Sequence, residues 1–365
     1  MALLSFIAIC LLPLVFGLTV GNVSEIRVPA IYAFGDSLFD VGNNNYLELA
    51  KQDTANFPHN GIDFPNRIPT GRFSNGYIGI DFIAKIFGFK MSPPPYLSIR
   101  HANQVLKGVN FASGGSGILD TTGNGTITFS TQIRYFEKVT RMLSQHMEQK
   151  SAETSLSQSL FVISTVSNDL FAFFALTGAT NATLNHNFIS SLVDDFVNHL
   201  KSLYKLGARK FWISGVGQIG CIPYLMSRNP SGGCFDDLNH LAQSYGEAAK
   251  RRLRHLSLRL VGMKYSYSDS YAMTAAIKAN PHALGLTEII GACCGDGKYN
   301  GEFQCLPKVT YCSNRDNYFF WDWFHPTEAV YKLTAILAYN GTFSTPINIK
   351  QLVLITGAST SLSDK

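Results

Sequence analysis

The chain has 365 residues, of which 46% are hydrophobic and 15% are charged, and its formal net charge is +5 at pH 7. This length and composition are typical of a globular protein with a sizeable core, built as one large domain or two small ones. The richest basic stretch, residues 250–255, has no wider basic patch around it, so we interpret it as a solvated helix face and expect no nucleic-acid partner.

The N-terminal segment over residues 3–18 is almost entirely apolar, and small residues follow at Gly17, Thr19 and Gly21. This pattern predicts a secretory signal peptide over residues 1–20 and therefore a secreted, extracellular protein. Because no Lys or Arg precedes the apolar run, a signal anchor is the alternative. No later stretch approaches the ~20 apolar residues of a transmembrane helix, and the C-terminus is polar, so we expect neither a transmembrane span nor a lipid anchor.

Five short segments rich in strand-forming residues follow, and helical patterns alternate with them. The strand candidates are residues 30–34, 105–111, 160–165, 210–214 and 264–268. Apolar residues repeat at spacings of three and four over residues 188–203, and residues 241–260 predict a further helix. The alternation predicts a single three-layer α/β domain over residues 28–348, with a mostly parallel five-stranded sheet flanked by helices. We interpret residues 349–365 as a C-terminal tail.

Six cysteines remain if Cys10 is removed with the signal peptide, and an even number suggests disulfides in a secreted protein. A bond between Cys221 and Cys234 would close a short loop. The adjacent Cys293 and Cys294 would bond to the remaining two cysteines in either order, namely Cys305 and Cys312. A metal site is the competing interpretation, but no two of the six have C-x-x-C spacing. We therefore expect neither a metal nor another cofactor.

Asn-x-Ser/Thr sequons are candidate glycosylation sites in a secreted protein. Four occur in the chain, at Asn22, Asn124, Asn181 and Asn340.

Residues that could take part in catalysis follow the first three predicted strands. Ser37 follows the first strand, Gly114 and Gly115 follow the second, and Asn168 follows the third. Because ligands of open α/β sheets bind outside the carboxyl ends of the strands, we expect these residues to meet at one edge. They would supply a nucleophile together with the backbone and side-chain N–H donors of an oxyanion hole.

A histidine and a carboxylate occur near the other end of the chain, in the sequence Asp322-Trp-Phe-His325. A histidine can take the proton of a serine at neutral pH, and a carboxylate can hold the imidazole in the required tautomer. Each short motif alone has an ordinary explanation as a turn, a helix cap or a chance pairing. Their joint occurrence in this order favours nucleophilic acyl transfer.

Rival motifs are weak or missing from the sequence. There is no Gly-x-Ser-x-Gly elbow, no His-Glu-x-x-His motif and no P-loop. The stretch from Gly215 to Gly220 matches G-x-G-x-x-G after a strand, but Cys221 and Pro223 interrupt the expected helix start. Dinucleotide binding is therefore not favoured.

Several sequence blocks together resemble the plant-type GDSL esterases/lipases of the SGNH hydrolase superfamily, over almost the whole mature chain. The blocks lie at residues 34–45, 69–76, 108–115, 206–210, 220–223 and 321–328. The resemblance implies a flavodoxin-like SGNH hydrolase fold and a monomeric enzyme without cofactors. It also implies that the enzyme hydrolyses small-molecule or lipid esters through an acyl-enzyme.

The resemblance implies a role for each site residue. Ser37 would be the nucleophile, His325 the base and Asp322 the group that orients the imidazole. The oxyanion hole would comprise the backbone N–H groups of Ser37 and Gly115 and the side chain of Asn168, with Gly114 as the alternative to Gly115. The remaining carboxylates of these blocks would order the surrounding loops, namely Asp40 and Asp169.

One position departs from the family pattern. The third block usually reads Gly-x-Asn-Asp, and here Val166 replaces the glycine. Because a β-branched residue disfavours positive φ, we expect a tighter turn, with a shifted Asn168 donor or a narrower acyl site.

Two other functions remain open at this point. The same acyl-enzyme could transfer its acyl group to a sugar or hydroxy-lipid alcohol, which would make the protein an acyltransferase. A non-catalytic modifier protein on the same fold is the other alternative, supported only by Val166. The aromatic residues 171–174 could line an acyl pocket, but we favour a core position.

Overall fold

A computed structural model of the chain describes residues 28–49 and 53–355. The predicted signal peptide over residues 1–20 lies outside the described residues. Eight strands occur within them, β1 to β8 in chain order: Ile31–Gly35, Gly108–Asn110, Leu160–Ser164, Lys210–Ser214, Lys264–Ser268, Glu288–Ala292, Tyr318–Phe320 and Ser344–Thr345. The α-helices of the described chain, α1 to α10, are Gly79–Ile86, Phe129–His146, Gln149–Gln158, Ser167–Thr177, Ala182–Lys205, Pro223–Arg228, Asp236–Arg259, Ser270–Ala279, Glu328–Asn340 and Ile349–Leu354.

The main sheet has the strand order β2-β1-β3-β4-β5-β8. Its first five strands are parallel and are the five predicted from the sequence, whereas β8 pairs antiparallel to β5. The predicted α/β fold with a mostly parallel sheet is therefore confirmed. Strand β8, the sixth in the main sheet, has only two residues, too few to show a hydrophobic pattern in the sequence. Strands β6 and β7 form a separate two-stranded parallel sheet.

Helices cover both faces of the main sheet, which produces the predicted three layers. In β3, Phe161 and Ile163 face the layer that contains α2, α5 and α7, whereas Leu160 and Val162 face α1, α8, α9 and α10. All four side chains are fully buried. This burial on both faces explains why β3 is a continuous apolar run and does not alternate with polar residues.

The two long predicted helices are present but begin earlier than their apolar patterns. Helix α5 begins after Asn181, whose side chain accepts a hydrogen bond from the Leu184 N–H. Such a cap satisfies a donor that the first helical turn leaves unpaired. Helix α10 follows directly after the predicted domain end at residue 348, and its Ile349 and Leu352 side chains are fully buried in the core.

Three disulfides link the six cysteines that were expected to pair. The bonds join Cys221 to Cys234, Cys293 to Cys312 and Cys294 to Cys305. The last two select one of the orders that the sequence left open. Within the described part of the chain, no helix has the length and apolarity needed to span a bilayer.

Candidate functional site

Ser37 lies just beyond the carboxyl end of β1, where the chain turns away from the sheet. The turn begins at Gly35, whose φ of 136° is rarely adopted by other residues. A Cβ atom at Gly35 would lie 1.7 Å from the carbonyl oxygen of Ser164 on β3. Glycine therefore allows the strands to stay paired up to the point where Ser37 leaves the sheet.

Asp322 and His325 lie in the loop after β7, which reaches the same edge of the main sheet. Asp322 Oδ1 accepts hydrogen bonds from the backbone N–H of Phe324 at 2.9 Å and of His325 at 2.8 Å. The same carboxylate lies 2.8 Å and 3.0 Å from His325 Nδ1. The loop backbone and the imidazole are thus held by one side chain.

The other imidazole nitrogen, His325 Nε2, lies 2.8 Å from Ser37 Oγ. Because the carboxylate can only accept from Nδ1, Nδ1 carries the hydrogen and Nε2 is free to accept the serine proton. His325 is 9% exposed and Asp322 6% exposed, so the pair is nearly sealed from solvent. The arrangement can activate a serine hydroxyl as a nucleophile.

An aromatic contact, which the sequence analysis did not identify, supports the imidazole. The ring of Phe73 lies 4.9 Å from the His325 ring, centroid to centroid. The neighbouring Arg72 is buried and donates two hydrogen bonds of 2.8 Å to the Asp81 carboxylate. The only sequence signal for Phe73 is its place in the block at residues 69–76.

The two adjacent glycines after β2 have different roles. The Gly114 N–H donates a 3.0 Å hydrogen bond to Asp40 Oδ2, and a Cβ atom there would lie 2.6 Å from the Phe73 ring. Within residues 28–49 and 53–355, no acceptor is found for the N–H of Gly115 or of Ser37. Gly115 is therefore the better candidate of the two for binding an oxyanion.

Asn168 lies in the first turn of α4, and one hydrogen of its amide is bound to the Ser116 carbonyl oxygen at 2.9 Å. Its Nδ2 has a second hydrogen that can point into the cleft. Val166, directly before the helix, has φ 94° and is 1% exposed. The valine therefore adopts the positive φ that β-branched residues disfavour, a backbone conformation typical of glycine.

Two buried carboxylates organise the loops that carry these donors. Asp40 accepts hydrogen bonds from the backbone N–H groups of Gly42 and Asn43 as well as Gly114. Asp169 accepts from the backbone N–H of Ile118 and other groups of the loop after β2. Burial raises the pKa of Asp40 to about 6, and its backbone hydrogen bonds oppose the shift.

A third buried carboxylate, Asp36, precedes Ser37 and is 1% exposed. Burial raises the pKa of Asp36 to about 7, while the N–H of Leu38 and the nearby His325 act in the opposite direction. With a pKa of about 7, Asp36 is about half protonated at pH 7, which lowers the average negative charge beside the serine.

The predicted site residues meet around one open cleft of about 370 Å³. Ser37, Gly115, Asn168 and His325 all line it, with Asp322 directly behind the histidine. The predicted core position of residues 171–174 applies only in part. Phe171 lines the cleft and contacts the ring of Phe324, whereas the rings of the other two phenylalanines pack on neighbouring helices, Phe173 on Phe188 and Phe174 on Phe235.

The described glycosylation candidates are not among the residues that line this cleft. Asn124, Asn181 and Asn340 are exposed on the surface, and Asn22 lies outside the described residues.

Comparison with known proteins connects this geometry to a family. The GDSL-like Lipase/Acylhydrolase family model matches residues 31–337. A GDSL esterase/lipase of Arabidopsis thaliana is 38% identical over 343 residues, which cover 89% of this chain and 90% of the relative. A second from the same plant is 40% identical over 340 residues, covering 91% and 87%. GDSL esterase/lipase 7 of Arabidopsis thaliana is 34% identical over 337 residues, covering 89% and 92%. The family match spans every residue of the cleft.

Proposed function

This chain belongs to the GDSL-like lipase/acylhydrolase family and is a serine esterase/lipase, and from this premise we propose that Ser37 is its nucleophile. The enzyme is a carboxylic ester hydrolase that acts on small-molecule esters. The observation that carries the assignment of Ser37 is the 2.8 Å separation between Ser37 Oγ and His325 Nε2. A hydrogen bond from a hydroxyl to a neutral imidazole is the arrangement that general-base activation requires.

The first half of the reaction forms an acyl-enzyme. Ser37 Oγ attacks the ester carbonyl carbon while its proton passes to His325 Nε2. Asp322 holds the imidazole and stabilises its positive charge. The bond between carbonyl carbon and alkoxy oxygen then breaks, and the proton on His325 passes to the leaving alcohol. The acyl group remains bound to Ser37.

The second half releases the acid. A water molecule attacks the acyl carbon and gives its proton to His325. The bond to Ser37 Oγ breaks, the serine oxygen takes the proton back, and the free carboxylic acid leaves. Atoms balance as ester plus water giving acid plus alcohol.

We assign the oxyanion hole to the backbone N–H groups of Ser37 and Gly115 and the side chain of Asn168. The support is that the two N–H groups have no acceptor among the described residues and that Asn168 has one uncommitted amide hydrogen. Donors fixed in this way stabilise charge that develops only during the reaction, and each contributes ~10²–10³ in kcat.

Substitution of the nucleophile tests the proposal. Ser37→Ala should lower kcat for a short-chain 4-nitrophenyl ester by ~10⁶-fold, as loss of a serine nucleophile does elsewhere. Ser144→Ala, on the exposed surface of α2, is the matched control and should keep full activity. A serine-directed phosphonate should label the wild-type protein and not Ser37→Ala. Activity of Ser37→Ala within tenfold of wild type, in folded protein, would contradict the assignment.

We further propose that the protein is secreted, with residues 1–20 removed and residues 28–348 forming the hydrolase domain. Three disulfides fit an extracellular protein, and three sequon asparagines are exposed for glycosylation. Expression of the full chain in a plant host should release protein into the medium with a new N-terminus near residue 20. An intact N-terminus on protein retained in the cell would contradict secretion.

A further inference from the structure

A second cavity of about 160 Å³ lies behind the wall of the cleft and is named here the rear cavity. It lies between the main sheet and helices α8 and α9. The rear cavity and the cleft share the side chains that separate them, which are Leu38, Ser167, Ile219, Ile222 and Phe324. Leu38 follows Ser37 directly, so the rear cavity begins one residue from the nucleophile. A group attached to Ser37 would therefore be separated from the rear cavity only by this shared wall.

The lining of the rear cavity is mostly apolar. Met273, Ala335 and Ala338 contribute carbon surface. Several hydroxyl groups of the lining are bound to the protein: Ser214 Oγ and Ser270 Oγ lie 3.2 Å apart, and Thr334 donates to the Val330 carbonyl oxygen at 2.9 Å. The carbon surface that lines the rear cavity suits a hydrocarbon chain, because burying each CH₂ group stabilises a complex by ~0.8 kcal/mol.

Several hydrogen-bond donors of the lining have no acceptor in the described part of the chain. The Tyr331 hydroxyl is one, and Tyr331 is only 5% exposed. The Lys278 amine is another, and it contacts the rings of Phe319 and Phe320, each at 5.3 Å. Burial lowers the pKa of Lys278 to about 8. Lys278 is half-buried, burial is the only cause of its pKa shift, and none of the proposed chemical steps uses it.

We propose that the rear cavity binds the acyl chain of the ester, and that Lys278 binds an oxygen acceptor carried by that chain. The inference rests on the proposed function, since it concerns the acyl group that Ser37 receives. Lys278 is not part of the wall shared with the cleft. The acceptor therefore belongs on the chain away from the ester carbonyl, and a terminal carboxylate complements the positive charge of the amine.

The volume limits the chain length. A cavity of ~150 Å³ accommodates benzene, which has six carbon atoms. The rear cavity of about 160 Å³ therefore holds an acyl chain of ~6 carbons. An acyl chain twice as long would extend out of the rear cavity.

The first experiment tests whether the acyl chain enters. Ala335→Leu places three more carbon atoms in the rear cavity, whereas Ala329→Leu makes the same change on the same helix outside the lining. Wild type should prefer the 4-nitrophenyl hexanoyl ester over the acetyl and dodecanoyl esters in kcat/KM. Ala335→Leu should lower the hexanoyl-to-acetyl ratio by ~10-fold or more, as misfit in an apolar pocket does, and Ala329→Leu should leave that ratio unchanged.

An enlarging variant covers the case in which Ala335→Leu does not fold. Met273→Ala removes side-chain atoms from the rear cavity and should move the preferred chain to a greater length. If neither change alters the dependence on chain length while Ser37→Ala is inactive, the acyl chain does not occupy the rear cavity, although the proposed function stands.

The second experiment tests Lys278 with two esters of equal length. The mono-4-nitrophenyl ester of adipic acid has the same six acyl carbons as the hexanoyl ester but ends in a carboxylate. Wild type should favour the adipoyl ester, and Lys278→Met should lower the adipoyl-to-hexanoyl ratio by ~10-fold. Lys278→Arg, which keeps the charge, should retain much of the preference. Equal ratios in wild type and Lys278→Met would show that Lys278 only supports the fold.

Discussion

The backbone N–H of Cys294 donates a 2.8 Å hydrogen bond to the carbonyl oxygen of Trp321, directly before Asp322. Trp321 is fully buried against Cys293, Cys294 and Cys305. The disulfide between Cys294 and Cys305 therefore lies against the segment that leads into the Asp322–His325 loop. Another of the three disulfides joins Cys221 to Cys234, and Cys221 lies between Ile219 and Ile222, which line the cleft. The two cysteine pairs should therefore affect catalysis differently.

Removal of one disulfide should mainly change kcat, whereas removal of another should mainly change KM. The Cys294→Ala/Cys305→Ala double variant should lower kcat, because it loosens the segment before Asp322. The Cys221→Ala/Cys234→Ala variant should mainly raise KM, because Cys221 lies between Ile219 and Ile222, which line the cleft. The two bonds span similar separations of 11 and 13 residues, so each removal should cost a similar ~2–5 kcal/mol of unfolding free energy. Identical kinetic changes in both variants would contradict this division.

The Asp322 carboxylate should be needed for catalysis but not for the loop. In Asp322→Asn, the amide oxygen can still accept from the backbone N–H groups of Phe324 and His325. The amide nitrogen, however, would face Nδ1 and favour the wrong imidazole tautomer. We expect kcat for ester hydrolysis to fall by ~10⁴-fold, with a melting temperature close to that of the wild type. A loss below tenfold would show that His325 does not depend on Asp322.

Asp36 should make the protein more stable at pH 5 than at pH 8. Its pKa of about 7 in the folded protein exceeds the ordinary value of 3.8, so between these pH values the folded state binds the proton more tightly. Stability therefore falls as the pH rises from about 4 to about 7. Asp36→Asn removes the ionisation and keeps an acceptor for the Leu38 N–H. It should raise the melting temperature at pH 8, by ~2–4 °C for each kcal/mol gained, and by a smaller amount at pH 5, which lies nearer the ordinary pKa.

Asp63 provides a control of opposite sign for Asp36. Burial acts to raise the pKa of Asp63, but hydrogen bonds from Arg315 and Asn75 outweigh it and lower the pKa. Asp63→Asn should therefore lower the melting temperature at pH 8 instead of raising it. If both substitutions change the melting temperature in the same direction at pH 8, burial is not the dominant influence on Asp36.

The sequence predicted those parts of the fold that depend on local patterns. Strands β1, β3 and β4 are largely apolar, β5 alternates tyrosine with serine, and α5 and α7 have apolar residues at spacings of three and four. These patterns were visible without knowledge of neighbouring segments. The choice between Gly114 and Gly115 depends on Asp40, more than 70 residues away in the chain. Such long-range contacts leave no periodic signal.

The role of Phe73 was missed for a related reason. It lies in an irregular loop, and its contact with His325 spans most of the chain. The order of the last two disulfides likewise depends on how β6 and β7 place the adjacent Cys293 and Cys294. Sequence motifs supplied the candidate residues, whereas tertiary contacts determined which neighbours support them.

At position 166 the glycine variant should be more stable than the alanine variant, which is the reverse of the usual order. The φ of 94° at Val166 is strained for a β-branched residue, at a cost of ~1–3 kcal/mol. Val166→Ala loses buried methyl groups and keeps a Cβ in the strained conformation. Val166→Gly loses slightly more surface but relieves the strain. We therefore expect the glycine variant to have the higher melting temperature.

Val162 in β3 is the matched control for this prediction, because it is also a fully buried valine but has ordinary extended backbone. At Val162 the alanine variant should be more stable than the glycine variant, by ~0.5–1 kcal/mol. Val166→Gly should also retain kcat, since Asn168 stays in the first turn of α4 and can keep its hydrogen bond to Ser116. If alanine is the more stable replacement at both positions, the positive φ at Val166 costs too little to matter.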